Sequence, residues 1–97
     1  MRNEKKVPGY TSEEDLFEAL NEEEKAEADM MAEIAMQIHN KRIEMNMNQS
    51  QFAEYNGVSQ AMVSKWESGE YNFSVCALAK IFRRLELSFV IQEKATA

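Results

Sequence analysis

Between Asn48 and Gly69 the chain reads NQSQFAEYNGVSQAMVSKWESG, and that spacing leaves little freedom of fold. Asn48 can accept from the first free amides of a helix and Gln51 can return a bond three residues later, so a helix begins here. Ala53 is small where two steeply crossing helices must bring their backbones together. Gly57 can adopt the positive-φ conformation that ends a helix in a sharp turn. Ser59 suits the cap of the next helix, Val58, Val63 and Trp66 turn apolar surface inward, and Gly69 supplies a second stop. The reading is two short helices joined by a tight turn, with Gln60, Ala61, Ser64 and Lys65 facing out.

Internal packing does not require that outward set. Gln can pair with adenine in the major groove, Ala can touch a thymine methyl, and Lys can reach guanine or phosphate. Gln60 and Ala61 fall in the first turn of the second helix, the end that a recognition helix presents to base edges. Most polar helix faces are merely solvated. The spacing of Ala53, Gly57, Ser59, Val63 and Trp66 favours a reading surface here.

From about Ile34 to Leu85 the chain resembles the phage-repressor-like, xenobiotic-response-element (XRE) family of helix-turn-helix regulators. The resemblance rests on Asn48-Gln49, Phe52-Ala53, Gly57-Val58-Ser59-Gln60, Val63-Ser64-Lys65-Trp66-Glu67 and Gly69, followed by Leu78 to Leu85 as a closing helix. It implies an all-α, lambda-repressor-like bundle. It implies base reading by Gln60, Ala61 and Lys65, and backbone contacts from Gln49, Ser59, Ser64, Ser68 and Asn72. Arg42 matches a family Arg that pairs with the acid at Glu67 and lies near phosphate, and Lys41 beside it is a further backbone contact. The chain departs from the family pattern twice: Phe73 stands where Pro is usual, and Lys41 where an apolar or small residue is more common.

A formal charge of −6 over 97 residues is unusual for a DNA-binding chain, whose footprint should be basic. The charge is unevenly spread. Residues 1–33 carry four Lys or Arg against eleven Asp or Glu, and residues 34–97 carry seven against six. The acid therefore lies away from the motif. A surplus of one positive charge still gives little phosphate neutralisation, so modest affinity per monomer and a need for two half-sites are expected. The length allows one domain. No apolar run could cross a bilayer and no secretion signal follows Met1, so a cytoplasmic location is expected. Cys76, the only cysteine, is expected to be a small buried hydrophobe.

Four segments are expected. Residues 1–10 form a flexible arm, 11–33 an acidic helical extension, 34–85 the helix-turn-helix domain, and 86–97 a C-terminal strand and tail. Thr11 to Glu14 reads as a capping box for a short helix showing Leu16, Phe17 and Leu20. Asn21 with Glu24 repeats that signal before a long helix toward Met45, striped by Ala26, Met30, Ile34 and Ile38, with Met31 and Ala35 beside them. Asn46 suits its exit. Ser74 caps a helix from Val75 to Leu85 that should bury Leu78, Ile81, Phe82 and Leu85. The bundle then has about five helices.

Leu87, Phe89, Val90 and Ile91 lie in a run of strand formers with no second strand in the chain to pair with. Pairing with the same segment of another copy, or with a strand of a different protein, would close the open edge.

Other chemistry finds little footing. Glu22 to Glu33 is a charge run without an inward Glu-x-x-His pair, and His39 has no second ligand at metal spacing, so no metal or cofactor is expected. No residue context marks a nucleophile, so an enzyme is not expected. The favoured reading is a dimeric transcription regulator, a repressor on a pseudo-palindromic operator. The alternative is an antitoxin that silences a small toxic enzyme and represses its own operon. The acidic helix, the motif and the terminal Leu-Glu-Leu-Ser-Phe-Val together resemble helix-turn-helix antitoxins paired with ribosome-dependent mRNA-cleaving toxins.

Overall fold

The computed structural model describes residues 13–93, with side chains from residue 21 onward. The expected arm, the Thr11 cap and the last four residues lie outside that range, as do the side chains of Leu16, Phe17 and Leu20. Four helices follow in order: α1 (Glu13–Glu44), α2 (Gln49–Asn56), α3 (Gln60–Trp66) and α4 (Val75–Leu85).

One helix stands where two were expected. No Gly or Pro occurs between Glu13 and Glu44, and the stretch around Asn21 is rich in Ala, Leu, Glu and Lys, all strong helix formers. An Asn inside such a run costs only about 0.7 kcal/mol relative to Ala, too little to open a second N-terminus. The 32 residues of α1 span about 48 Å at 1.5 Å per residue. Its side chains from 21 to 30 are all exposed, and burial begins only with Met31, Ile34, Ala35 and Ile38. The N-terminal part of the expected apolar stripe is therefore uncovered, with Met30 61% exposed.

The core is made where all four helices converge. Ile38 of α1, Phe52 and Ala53 of α2, Val63 and Trp66 of α3, and Ile81, Phe82 and Leu85 of α4 form one buried cluster. Phe52, Ile38 and Val63 are fully enclosed. Ala53 sits in this cluster as a small residue at the α2–α3 crossing, the place its size suggested. Three helix exits use the same closure, in which a residue in the left-handed region lets the next amide reach back five residues. Asn46 (φ 58), Gly57 (φ 71) and Glu86 (φ 58) take that conformation. The closing bonds are Met47 N to Arg42 O, Val58 N to Ala53 O, and Leu87 N to Phe82 O.

Two further expectations fail. Cys76 is exposed. The buried face of α4 is Leu78, Ile81, Phe82 and Leu85, and position 76 is turned about 200° from position 78, away from that face. The C-terminal segment forms no strand, and there is none among the described residues. A ladder needs a second strand, and the described residues offer none. Phe89 instead leans on Phe82, with ring centroids 6.2 Å apart. Together with Met30, Ile34 and Val90 these rings line an open groove of about 520 Å³ between α1 and the terminal segment.

Candidate nucleic-acid interface

Local bonding sets the α2–turn–α3 unit. Asn48 Oδ1 accepts from Gln51 N at 2.8 Å while Gln51 Oε1 accepts from Asn48 N at 2.9 Å, a reciprocal cap that fixes the start of α2. Ser59 Oγ accepts from Met62 N at 3.1 Å and starts α3. Ser68 Oγ donates to Lys65 O at 2.7 Å and accepts from Glu70 N at 3.1 Å, closing its far end. Between these caps Val63 and Trp66 are buried, whereas Gln60, Ala61, Ser64 and Lys65 are exposed. One side of α3 is thus anchored in the core and the other is bare.

Several of the other expected contact residues are also open to solvent. Ser59, Ser68 and Asn72 are exposed and Gln49 is half-exposed. The segment after α3 is held by aromatic packing: Phe73 meets Tyr71 edge-on at 4.8 Å and lies 6.5 Å from Trp66. Phe73 in the place of the usual Pro therefore fixes the loop by side-chain contact rather than by backbone restriction.

Arg42 ties α1 to both neighbours of the turn. Its Nε donates to Glu67 Oε2 at 2.6 Å, Nη2 to Glu67 Oε1 at 3.1 Å, and Nη1 to Met47 O at 2.9 Å. The forked geometry suits a planar guanidinium against a carboxylate. The hydrogen bond to Glu67 raises the Arg42 pKa despite burial. Burial pushes the Glu67 carboxyl up, but hydrogen bonds from Arg42 and His39 outweigh it and hold its pKa below the ordinary value. The pairing implied by the family resemblance is present.

His39 completes this cluster through a contact with Glu67 that was not foreseen in the sequence. Its Nδ1 lies 2.8 Å from Glu67 Oε1. A signal existed: His39 and Arg42 are three apart on one helix and so share a face. Asn56 and Arg84 were also missed. Asn56, only 4% exposed, donates from Nδ2 to Phe52 O at 2.8 Å. Its own carbonyl accepts from Arg84 Nη1 at 3.0 Å, which fastens α2 to α4.

Lys41 is not brought to the same place. Its ammonium pairs with Glu44 at 2.9 Å, and that hydrogen bond raises its pKa, with smaller contributions from Glu86 and Tyr55. Position 41 is turned about 100° around α1 from Arg42, toward the ends of α2 and α4. Leu87, Phe89, Val90 and Ile91 lie on the terminal segment after α4, with Leu87 packed against the core and Phe89 against Phe82.

Comparison with known proteins bears on this geometry. A family model described as helix-turn-helix (HTH_3) matches residues 38–91. Among solved structures, an HTH_3 family transcriptional regulator from Vibrio cholerae is 32% identical with a TM-score of 0.56, covering 64% of this chain. The matched region spans 35% of that protein's length. No curated protein matches. The matched residues contain the end of α1, the α2–turn–α3 unit and all of α4, and the chain belongs to the HTH_3, XRE-type helix-turn-helix family.

Proposed function

We propose that the protein is a sequence-specific, double-stranded DNA-binding transcription regulator, a repressor that occupies a pseudo-palindromic operator as a dimer. The observation that carries this reading is the bare side of α3. Gln60, Ala61, Ser64 and Lys65 stand exposed on a helix whose opposite side is locked into the core by Val63 and Trp66. Gln60, Ala61 and Lys65 read base edges, and Gln49, Ser59, Ser64, Ser68 and Asn72 hold the phosphate backbone. Arg42 acts through Glu67, fixing the end of α3, and lies close to backbone phosphate. Lys41, paired with Glu44 on another side of α1, adds only general attraction. Such a role belongs in the cytoplasm.

Dimerisation supplies the second half-site, about one helical turn from the first. The terminal segment supports it: Phe89, Val90 and Ile91 are 55%, 69% and 87% exposed beside the open groove. Antiparallel pairing of Leu87 to Ile91 with the same segment of a second copy would satisfy their free backbone groups and cover these side chains. A titration of the DNA upstream of its own gene, followed by fluorescence anisotropy, tests the reading. Saturable, salt-sensitive binding that an unrelated duplex does not reproduce supports it. Equal binding to both duplexes refutes it.

A second reading, an antitoxin that neutralises a small mRNA-cleaving toxin and represses its own operon, is favoured by one feature. From 21 to 30, α1 carries five acidic residues on a fully exposed helix that its own domain leaves uncovered. Co-expression with the neighbouring open reading frame decides it. A stable complex that restores growth supports the antitoxin role, and a frame whose product is harmless and does not co-purify refutes it.

A further inference from the structure

His39 is the only histidine in the chain, and among the described residues its ring is held at Nδ1 alone. Nδ1 lies 2.8 Å from Glu67 Oε1 and 3.3 Å from Arg42 Nη2. Those two neighbours ask opposite things of it. Toward the carboxylate Nδ1 must donate, whereas toward the guanidinium, which has only donors, it would have to accept. The shorter contact to an anion prevails, so Nδ1 carries hydrogen and points it at Glu67. In the neutral ring Nε2 is then a lone pair. The side chain is 47% exposed, and Nε2 is the ring nitrogen that neither Glu67 nor Arg42 engages.

We infer that His39 is a phosphate-binding residue of the DNA interface whose engagement takes up a proton. The inference rests on the DNA-binding reading above. His39 sits against Glu67, the residue that ends α3, and shares a helix face with Arg42, so it stands at the C-terminal end of the base-reading helix. A phosphate oxygen can only accept. Contact with Nε2 therefore requires a proton there, drawn from solvent, and the ring becomes an imidazolium donating to Glu67 at one nitrogen and to phosphate at the other. Among the described residues, the charged groups in contact with the ring are Arg42 on its own helix and Glu67 from the end of α3. An imidazolium there is attracted by the second and repelled by the first. The phosphate adds an attraction that exists only in the complex, which links proton uptake to binding.

Because the chain has one histidine, the linkage can be assigned to a single residue. The experiment measures the dissociation constant for its upstream DNA at pH about 5.5 and about 7.5 and at fixed ionic strength, the interval in which imidazoles titrate. Wild type should bind roughly tenfold more tightly at the lower pH, the equivalent of about one charge-assisted hydrogen bond. His39→Gln should show no more than the small dependence left by the α-amino group. His39→Arg, which offers a permanent donor, should bind at the higher pH as tightly as wild type does at the lower, with little pH dependence. An unchanged pH dependence in His39→Gln, a flat wild-type profile, or His39→Arg binding no better than His39→Gln overturns the inference while leaving DNA binding intact. Failure of wild type to bind at either pH refutes the DNA-binding reading itself, and this inference with it.

Discussion

Replacing Arg42 with Ala removes three hydrogen bonds at once, two to Glu67 and one to the Met47 carbonyl. It leaves a carboxylate that is only 7% exposed with His39 as its remaining partner. Removing one member of a buried ion pair costs about 3–5 kcal/mol, because the survivor stays desolvated without its counter-charge. The solvent-facing His39 side of the cluster softens this, and we take about 3 kcal/mol, near the lower bound. A chain of this length has about 5–15 kcal/mol of stability in all. At roughly 4–8 °C per kcal/mol, the melting midpoint should fall by about 12–24 °C. Calorimetry or circular dichroism measures it.

The pH dependence separates the ion pair from simple loss of packing. Since the Glu67 pKa is lower folded than unfolded, the carboxylate contributes its full stabilisation above its unfolded value of about 4.3 and loses it as pH falls through the folded value. The stability gap between wild type and Glu67→Gln should therefore be widest near neutrality and narrow below about pH 4. Arg42→Lys, which keeps the charge but loses the fork, should fall between wild type and Arg42→Ala. A loss under about 0.5 kcal/mol in Arg42→Ala, within the range of an ordinary surface change, refutes the argument. So does a gap that is the same at every pH.

Three further outcomes follow from the same coordinates. Gly57→Ala should destabilise by about 1–2 kcal/mol, read from chemical denaturation; a Cβ there meets nothing within 4 Å, so the cost is that of φ 71 alone. Gln60→Ala should lose about 1–3 kcal/mol of binding free energy at one base pair and little elsewhere, measured by competition with single-site operator variants. Ile91→Lys should shift the chain toward monomer in sedimentation velocity without moving the far-ultraviolet spectrum, since that side chain is 87% exposed and supports no internal packing.

What could be read in the sequence and what could not have different physical origins. The caps at Asn48, Ser59 and Ser74 and the turn at Gly57 are local devices, encoded within a few residues, and all appear as expected. The buried face of α4 was legible from its 3.6-residue period. The break proposed at Asn21 was not real, because a capping pair signals a helix start only where the preceding residues do not already favour helix. Cys76 was assigned to the core by residue type, although its angular position on α4 excludes it. The strand expected at Leu87 to Ile91 depends on a partner, and no pattern in one chain can supply that. The His39–Glu67 contact and the Asn56–Arg84 link act across 28 residues of sequence, a relation that only the fold creates.

The central claim is that the uncovered side of α3 lies against base pairs, and amide shift mapping during titration with the upstream duplex tests it most directly. The account predicts that perturbations concentrate at Gln49 and from Ser59 to Lys65, with Val63 and Trp66 indoles and methyls reporting little. Shifts confined to α1 before Met31 and to the terminal segment, with α3 silent, would contradict it.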